Sequence, residues 1–287
     1  MRDKIIELLE ENVDLPPLPK VLIELQKLIN DPNCNVDDIQ RLIKSDMVLT
    51  GKMLTLANNV YFAGGREKAD EIEEAIIRLG VKMVLDLCYG IELPRTFKKT
   101  ESFDQTLFWK HSIAVGYLTR LITTQLVEDQ ETIDMSFTSG LMHDLGILVF
   151  DSLIPKEYNK IFVSQEMSRS DKSVQVLEKE TFGIDHQELG AKFLEKWWDL
   201  PSKITEAVKV HHDDYQGDGK NVTLAEALSG ANKLANENGI SHPVMSRYQE
   251  SLSEDFIKKN GISDDEKAFW IDQTRIGLLA FDCLIES

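Results

Sequence analysis

Apolar residues recur along this chain three and four positions apart, and no stretch sustains the strict alternation of a half-buried strand, so the pattern predicts helices throughout. Met1 to Leu15 sets Ile5, Ile6, Leu8 and Leu9 among Glu7, Glu10 and Glu11, the pattern of a short amphipathic helix. Leu15-Pro16-Pro17-Leu18-Pro19 cannot be helical throughout, because proline removes donors and restricts the residue before it, yet it can lead into a helix start. Val21, Leu22, Leu25, Leu28 and Ile29 form the next stripe, stopped by Asp31-Pro32-Asn33. Val36 to Lys44 repeats the pattern, with Asp37 and Asp38 in the first turn, where the helix dipole favours acids. After Ser45-Asp46 a helix is expected over Met47 to Asn59, closed by Gly64-Gly65. Glu71 to Leu79 and Lys82 to Leu87 follow, joined through Gly80, and Pro94 is expected to end this region.

A second region opens near Phe103. Helices are predicted over Phe108 to Thr124, Phe137 to Asp151, Lys156 to Met167 and Ser173 to Phe182, with Ser170-Asp171 as a cap between the last two. His186 to Trp198, Ser202 to Val210 after Pro201, and Val222 to Asn236 come next, and Asp264 to Ile285 supplies the last one or two. The fold class is all-α. At 287 residues the chain suits one large domain or two intimately packed lobes.

Charge narrows the partners. With 32 Lys+Arg against 49 Asp+Glu the net charge is -17, which repels phosphate backbones and anionic lipid at long range, and no basic run with interleaved aromatics offsets it. Direct nucleic-acid binding is therefore not expected. Cys34, Cys88 and Cys283 are widely spaced and odd in number, which suits a reducing compartment. No apolar run approaches the ~18 residues of a membrane span, so a cytoplasmic protein without membrane attachment is expected.

The chemistry concentrates at Ser139 to Gly146, Ser-Gly-Leu-Met-His-Asp-Leu-Gly. His143 and Asp144 are two strong metal ligands placed in an apolar run, where a buried charge is costly unless a cation or donor pairs with it. An isolated pair of this kind reads first as a core histidine beside a carboxylate that caps or pairs locally. This pair has company: His111 upstream, His186 downstream, and the doublet His211-His212 opening an acidic loop. Serine, cysteine or lysine nucleophile arrangements and phosphate-cradling glycine loops are absent, and His242, before Pro243, has no assigned role.

Four ordered blocks carry a resemblance. Leu15-Pro16-Pro17-Leu18-Pro19, Ile43 to Thr50, Leu56-Ala57-Asn58-Asn59 and Ala75 to Gly80 resemble successive blocks of the HDOD family, the HD-related output domains of bacterial signalling proteins. The resemblance implies two packed helical lobes, residues 1–98 and an HD-domain-like lobe over residues 99–287 with a C-terminal helical extension. His111 and His143-Asp144 are similar to the opening of the HD phosphohydrolase superfamily, in which these residues and a later aspartate bind a divalent metal. His186 and His211-His212 match the additional histidines of the HD-GYP branch, cyclic dinucleotide phosphodiesterases with a second metal position. The implied ligand set is therefore His111, His143, Asp144, His186, His211 and His212, for one or two ions of iron, manganese or zinc. Two departures stand out: Asn232 occupies the position of the superfamily's final aspartate, and Lys220-Asn221 stands where HD-GYP proteins have Tyr-Pro. The resemblance thus implies a signal-transduction module that binds a signalling protein or a small nucleotide ligand and is not an enzyme, with a metal-dependent phosphohydrolase as the alternative.

Overall fold

Every regular element among the described residues is a helix. The computed structural model describes residues 1–11, 15–29, 31–100, 103–163, 172–214, 217, 219–241 and 253–285. The Ser170-Asp171 cap, the end of the helix expected to reach Met167, and His242 lie outside them.

The chain divides into two compact units, one comprising Met1–Pro16 with Lys98–Arg275 and the other Pro17–Phe97 with Ile276–Ser287. After α1 (Arg2–Glu11), the second unit takes α2 (Lys20–Ile29), α3 (Val36–Lys44), α4 (Met47–Ala57), α5 (Val60–Ala63), α6 (Ile72–Leu79) and α7 (Val81–Thr96). Its helix ends follow local chemistry. Asn35 and Asp38 form a reciprocal capping box at the start of α3. Asp46 accepts from the Val48 and Leu49 N–H groups at 2.8 and 2.9 Å to open α4. Gly80, at φ 78, takes the positive backbone angle needed where α6 hands over to α7. Pro94 does not end the region at its own position. It sits in the last turn of α7, where it removes one bond to a carbonyl four residues back, and the helix runs on to Thr96, whose hydroxyl donates to the Glu92 carbonyl at 2.8 Å. Between α4 and the Gly64-Gly65 turn the short α5 intervenes, so the helix that starts at Met47 closes at Ala57.

The other unit continues with α8 (Gln105–Leu126), α9 (Gln130–Met142), α10 (Leu145–Leu153), α11 (Pro155–Val163), α12 (Val174–Phe182), α13 (His186–Trp198), α14 (Ser202–Lys209), α15 (Leu224–Glu237), α16 (Glu254–Lys259) and the start of α17 (Asp264–Ile285). The sequence pattern missed α16 because six residues are too few to show a periodic stripe. Its Phe256 is buried over Gly230, where an added Cβ would lie 2.7 Å from the ring. Val115, Leu118 and Ile122 of α8, Leu228, Ala231 and Leu234 of α15, and Trp270 form one apolar core. Helix α1 and Pro16 pack with this unit. The indoles of Trp197 and Trp198 donate to the Leu9 and Pro16 carbonyls at 2.9 and 3.0 Å.

Two helix crossings are made by glycines. A Cβ on Gly140 of α9 would fall 2.5 Å from the Gly116 Cα of α8, and a Cβ on Gly146 of α10 would fall 1.9 Å from the His186 carbonyl oxygen of α13. Backbone therefore meets backbone at both crossings, bringing the histidine-bearing segments together.

Candidate metal centre

The His143-Asp144 pair lies at a break between helices. α9 ends at Met142, Asp144 adopts φ -99 and ψ 8, and α10 starts at Leu145. Although Asp144 stands at the N-cap position, its side chain makes no capping bond, which removes the local-cap explanation of the carboxylate. It turns inward instead. Oδ2 lies 3.0 Å from His143 Nε2 and 3.7 Å from His111 Nε2, and Oδ1 lies 3.2 Å from His211 Nε2 and 3.5 Å from His186 Nε2. His212 Nε2 completes the group, 2.9 Å from His186 Nε2. Asp144, His143, His186 and His211 have 0% exposure, His111 has 1%, and His212 is partly exposed.

The structure thus brings all five histidines and Asp144 into two donor groups that share the carboxylate: Asp144, His186, His211 and His212 on one side, and His111, His143 and Asp144 on the other. Asn232 is buried on α15, and its carboxamide oxygen accepts from Asn236 at 3.1 Å. Lys220 and Asn221 line a separate cavity of about 920 Å³ together with Asp129, Lys203, Lys209 and Thr223.

Hydrogen bonding fixes the tautomers. The Nδ1 atoms of His111, His143 and His211 face the carbonyls of Ile240, Gly140 and Val208 at 2.7, 2.7 and 2.6 Å. A carbonyl only accepts, so each Nδ1 carries a proton and, in a neutral ring, each Nε2 presents a lone pair to Asp144. His186 differs: its Nδ1 lies 2.6 Å from Glu178 Oε2, a carboxylate that also accepts from the His186 backbone N–H at 2.8 Å and from the Tyr158 hydroxyl at 2.6 Å. Where the rings of His111, His143 and His211 are neutral, acceptors therefore converge on an acceptor. The buried His143 Nε2 and Asp144 Oδ2, though 3.0 Å apart, form no hydrogen bond. A divalent cation between imidazole nitrogens and a carboxylate oxygen answers that mismatch, so the donor set fits a transition metal.

Charge in the metal-free protein follows the same geometry. Burial opposes ionisation of Asp144, and the neighbouring imidazoles, His143 first, outweigh it and hold the carboxyl well below its usual range. Burial likewise opposes the imidazolium of His186, but the Glu178 carboxylate overcomes it and lifts this ring to about 9. His211, pressed by burial and then by His212, is held well below the ordinary histidine value.

Residues 15–214 match the HDOD domain. The chain belongs to the HDOD family. An uncharacterized protein of Treponema pallidum (strain Nichols) is 29% identical over 200 residues, covering 70% of this chain; the HDOD chain matches only 38% of that relative's length. Among solved structures, an HDOD domain protein of unknown function from Geobacter sulfurreducens superposes with a TM-score of 0.76 at 19% identity, covering 98% of this chain and 97% of its own. A candidate signal transduction protein from Marinobacter aquaeolei VT8 does so at 0.75 and 20% identity, covering all of this chain and 66% of its own. At these identities the likeness is one of fold. Among the described residues of this HDOD protein no helix is long and apolar enough to cross a membrane.

Glu178 and Tyr158 escaped the sequence reading. The available sign was an acid at the centre of a buried stripe, Val174, Glu178 and Phe182, spaced four apart on α12. An acid there must find a partner, and it finds His186 and Tyr158.

Proposed function

We propose that this HDOD protein is a signal-transduction module that acts by binding a signalling protein or a small nucleotide ligand, with a divalent transition metal held at its His/Asp centre. The observation that carries the metal is the buried convergence of imidazole nitrogens on Asp144, with each Nδ1 among His111, His143, His186 and His211 turned to an outer acceptor. What favours binding over turnover is charge. Asp144 is the one carboxylate within the two donor groups, and Asn232 is neutral at the position where the superfamily has a second acid. A pair of dications sharing a single carboxylate is poorly neutralised, which weakens the second position that a two-ion hydrolytic centre requires.

A metal-dependent phosphohydrolase is the second reading, favoured by the way Asp144 directs one oxygen to each donor group. A bound metal would act there as a Lewis acid toward a phosphoryl oxygen and lower the pKa of a bound water. Elemental analysis of protein purified without chelator, together with assays on cyclic dinucleotides and generic phosphodiesters in the presence of iron or manganese, separates the readings. The expected result is bound metal that is lost in Asp144→Asn with helical content retained, and little turnover. Equal metal in wild type and Asp144→Asn overturns the metal assignment; robust multiple turnover abolished in His143→Ala overturns the regulatory reading.

A further inference from the structure

Resting on the metal reading above, we infer that the two donor groups are unequal, and that the chain holds a single tight ion at Asp144, His186, His211 and His212, anchored by Glu178 from behind His186. Three observations lead there. The first is geometric. Donors on a tetrahedron with bonds of about 2.0–2.1 Å stand about 3.3 Å apart. The separations on this side, 2.9 Å for His186–His212, 3.2 Å for Asp144–His211 and 3.5 Å for Asp144–His186, bracket that edge. The other side offers two imidazoles and the second oxygen of Asp144, with one separation opening to 3.7 Å.

The second observation is charge. A dication among three neutral imidazoles is balanced by Asp144 in contact and by Glu178, fully buried and bonded to the His186 ring through Nδ1. A second dication would find no further carboxylate in the donor groups.

The third is electronic. His111, His143 and His211 give their Nδ1 protons to backbone carbonyls, whereas His186 gives its proton to a carboxylate that is itself fixed by the His186 N–H and the Tyr158 hydroxyl. A carboxylate behind an imidazole makes the opposite nitrogen a stronger donor. Glu178 is thus a positioning residue that selects which donor group is filled, and His212, partly exposed and held by its backbone N–H to Gln187 at 2.8 Å, lies on the solvent side of that group.

Cobalt(II) titration of the full chain, followed by its visible spectrum and by calorimetry, tests this without reference to activity. Wild type should saturate at one cobalt per chain with the intense visible absorption of a four-coordinate ion. His212→Ala should lose that ion and His111→Ala should retain it. Glu178→Gln keeps the shape and, with its carbonyl oxygen toward His186, both hydrogen bonds to that residue, but it removes the charge and reverses the bond with Tyr158, and should weaken cobalt binding by about ten- to a hundredfold. Two ions of similar affinity, loss of the ion in His111→Ala but not His212→Ala, or wild-type affinity in Glu178→Gln would each overturn the inference while leaving the metal reading in place. Should Glu178→Gln fail to fold, the histidine variants and the stoichiometry decide alone. Wild-type protein that takes up no cobalt would sink the metal reading itself.

Discussion

Gly146 and Gly190 meet across the α10–α13 crossing with the Gly146 N–H nitrogen 2.9 Å from where a Gly190 Cβ would stand. Two residues before Gly146 is Asp144, and four before Gly190 is His186, so this contact sets the distance between carboxylate and imidazole. A small-residue crossing is the means by which two short helices deliver side chains to one point without intervening bulk.

Gly146→Ala tests that dependence. Its Cβ would overlap the His186 carbonyl oxygen, which is backbone and cannot rotate aside, so the helices must separate. The expected outcome is a loss of at least about 2 kcal/mol in urea unfolding and loss of bound metal. Gly51→Ala is the control. Gly51 lies inside α4 with nothing within 4 Å of its Cβ position, and alanine there should stabilise by about 0.5–1 kcal/mol through helix propensity. A neutral Gly146→Ala with full metal content would show that the crossing has slack.

The four sequence blocks that pointed to the family proved to be largely helix ends and turns. In Ile43 to Thr50, the Ser45 hydroxyl donates to the Leu42 carbonyl, Asp46 opens α4, and the Thr50 hydroxyl reaches back to the Ile43 carbonyl at 3.0 Å. Such positions are legible because a cap works through neighbours in sequence. For the same reason α3 and α13 run over the residues expected from pattern alone. What was not legible depends on distant partners. Glu178 reads as one more helix acid until α13 is laid beside it, and the inward turn of Asp144 is set by the break between α9 and α10, which an apolar run hides.

Asp46→Ala carries a pH signature. The Leu49 and Val48 N–H groups accepted by its carboxylate, with Arg95 at 3.7 Å, hold the Asp46 carboxyl below its ordinary value of 3.8. A depressed carboxyl contributes stability that is present above the unfolded value and lost as pH falls through the folded one. The variant should therefore be less stable than wild type by about 1 kcal/mol at pH 7. That difference should close as the pH drops below 3.8. Urea midpoints across pH 7 to the acid limb check it, and a difference that persists in acid would assign the loss to capping bonds that the neutral carboxyl also accepts and not to the carboxylate charge.

Asn232→Asp asks whether the second donor group can be rebuilt. Asn232 lies buried on α15, which packs along α8, the helix that carries His111, and the His111 ring is itself tied to the Ile240 carbonyl just beyond α15. The prediction is that an aspartate on this buried face brings an anionic oxygen to the His111, His143 and Asp144 group, turning a three-donor group into a four-donor one and neutralising part of a second dication. The expected outcome is a change from one bound manganese to two, with the second lost again in the Asn232→Asp/His111→Ala double variant. Without metal the same change buries an unpaired carboxylate where Asn232 is 1% exposed, so the chelated variant should melt below wild type by the equivalent of a few kcal/mol. Added manganese should then recover that loss, because an ion that binds only the folded state stabilises it by mass action. Melts of both proteins with chelator and with manganese read the two signs directly. A fall in melting temperature that manganese does not reverse, with stoichiometry still at one, would show that Asn232 is a packing residue and that the His111–His143 group is not a position for metal.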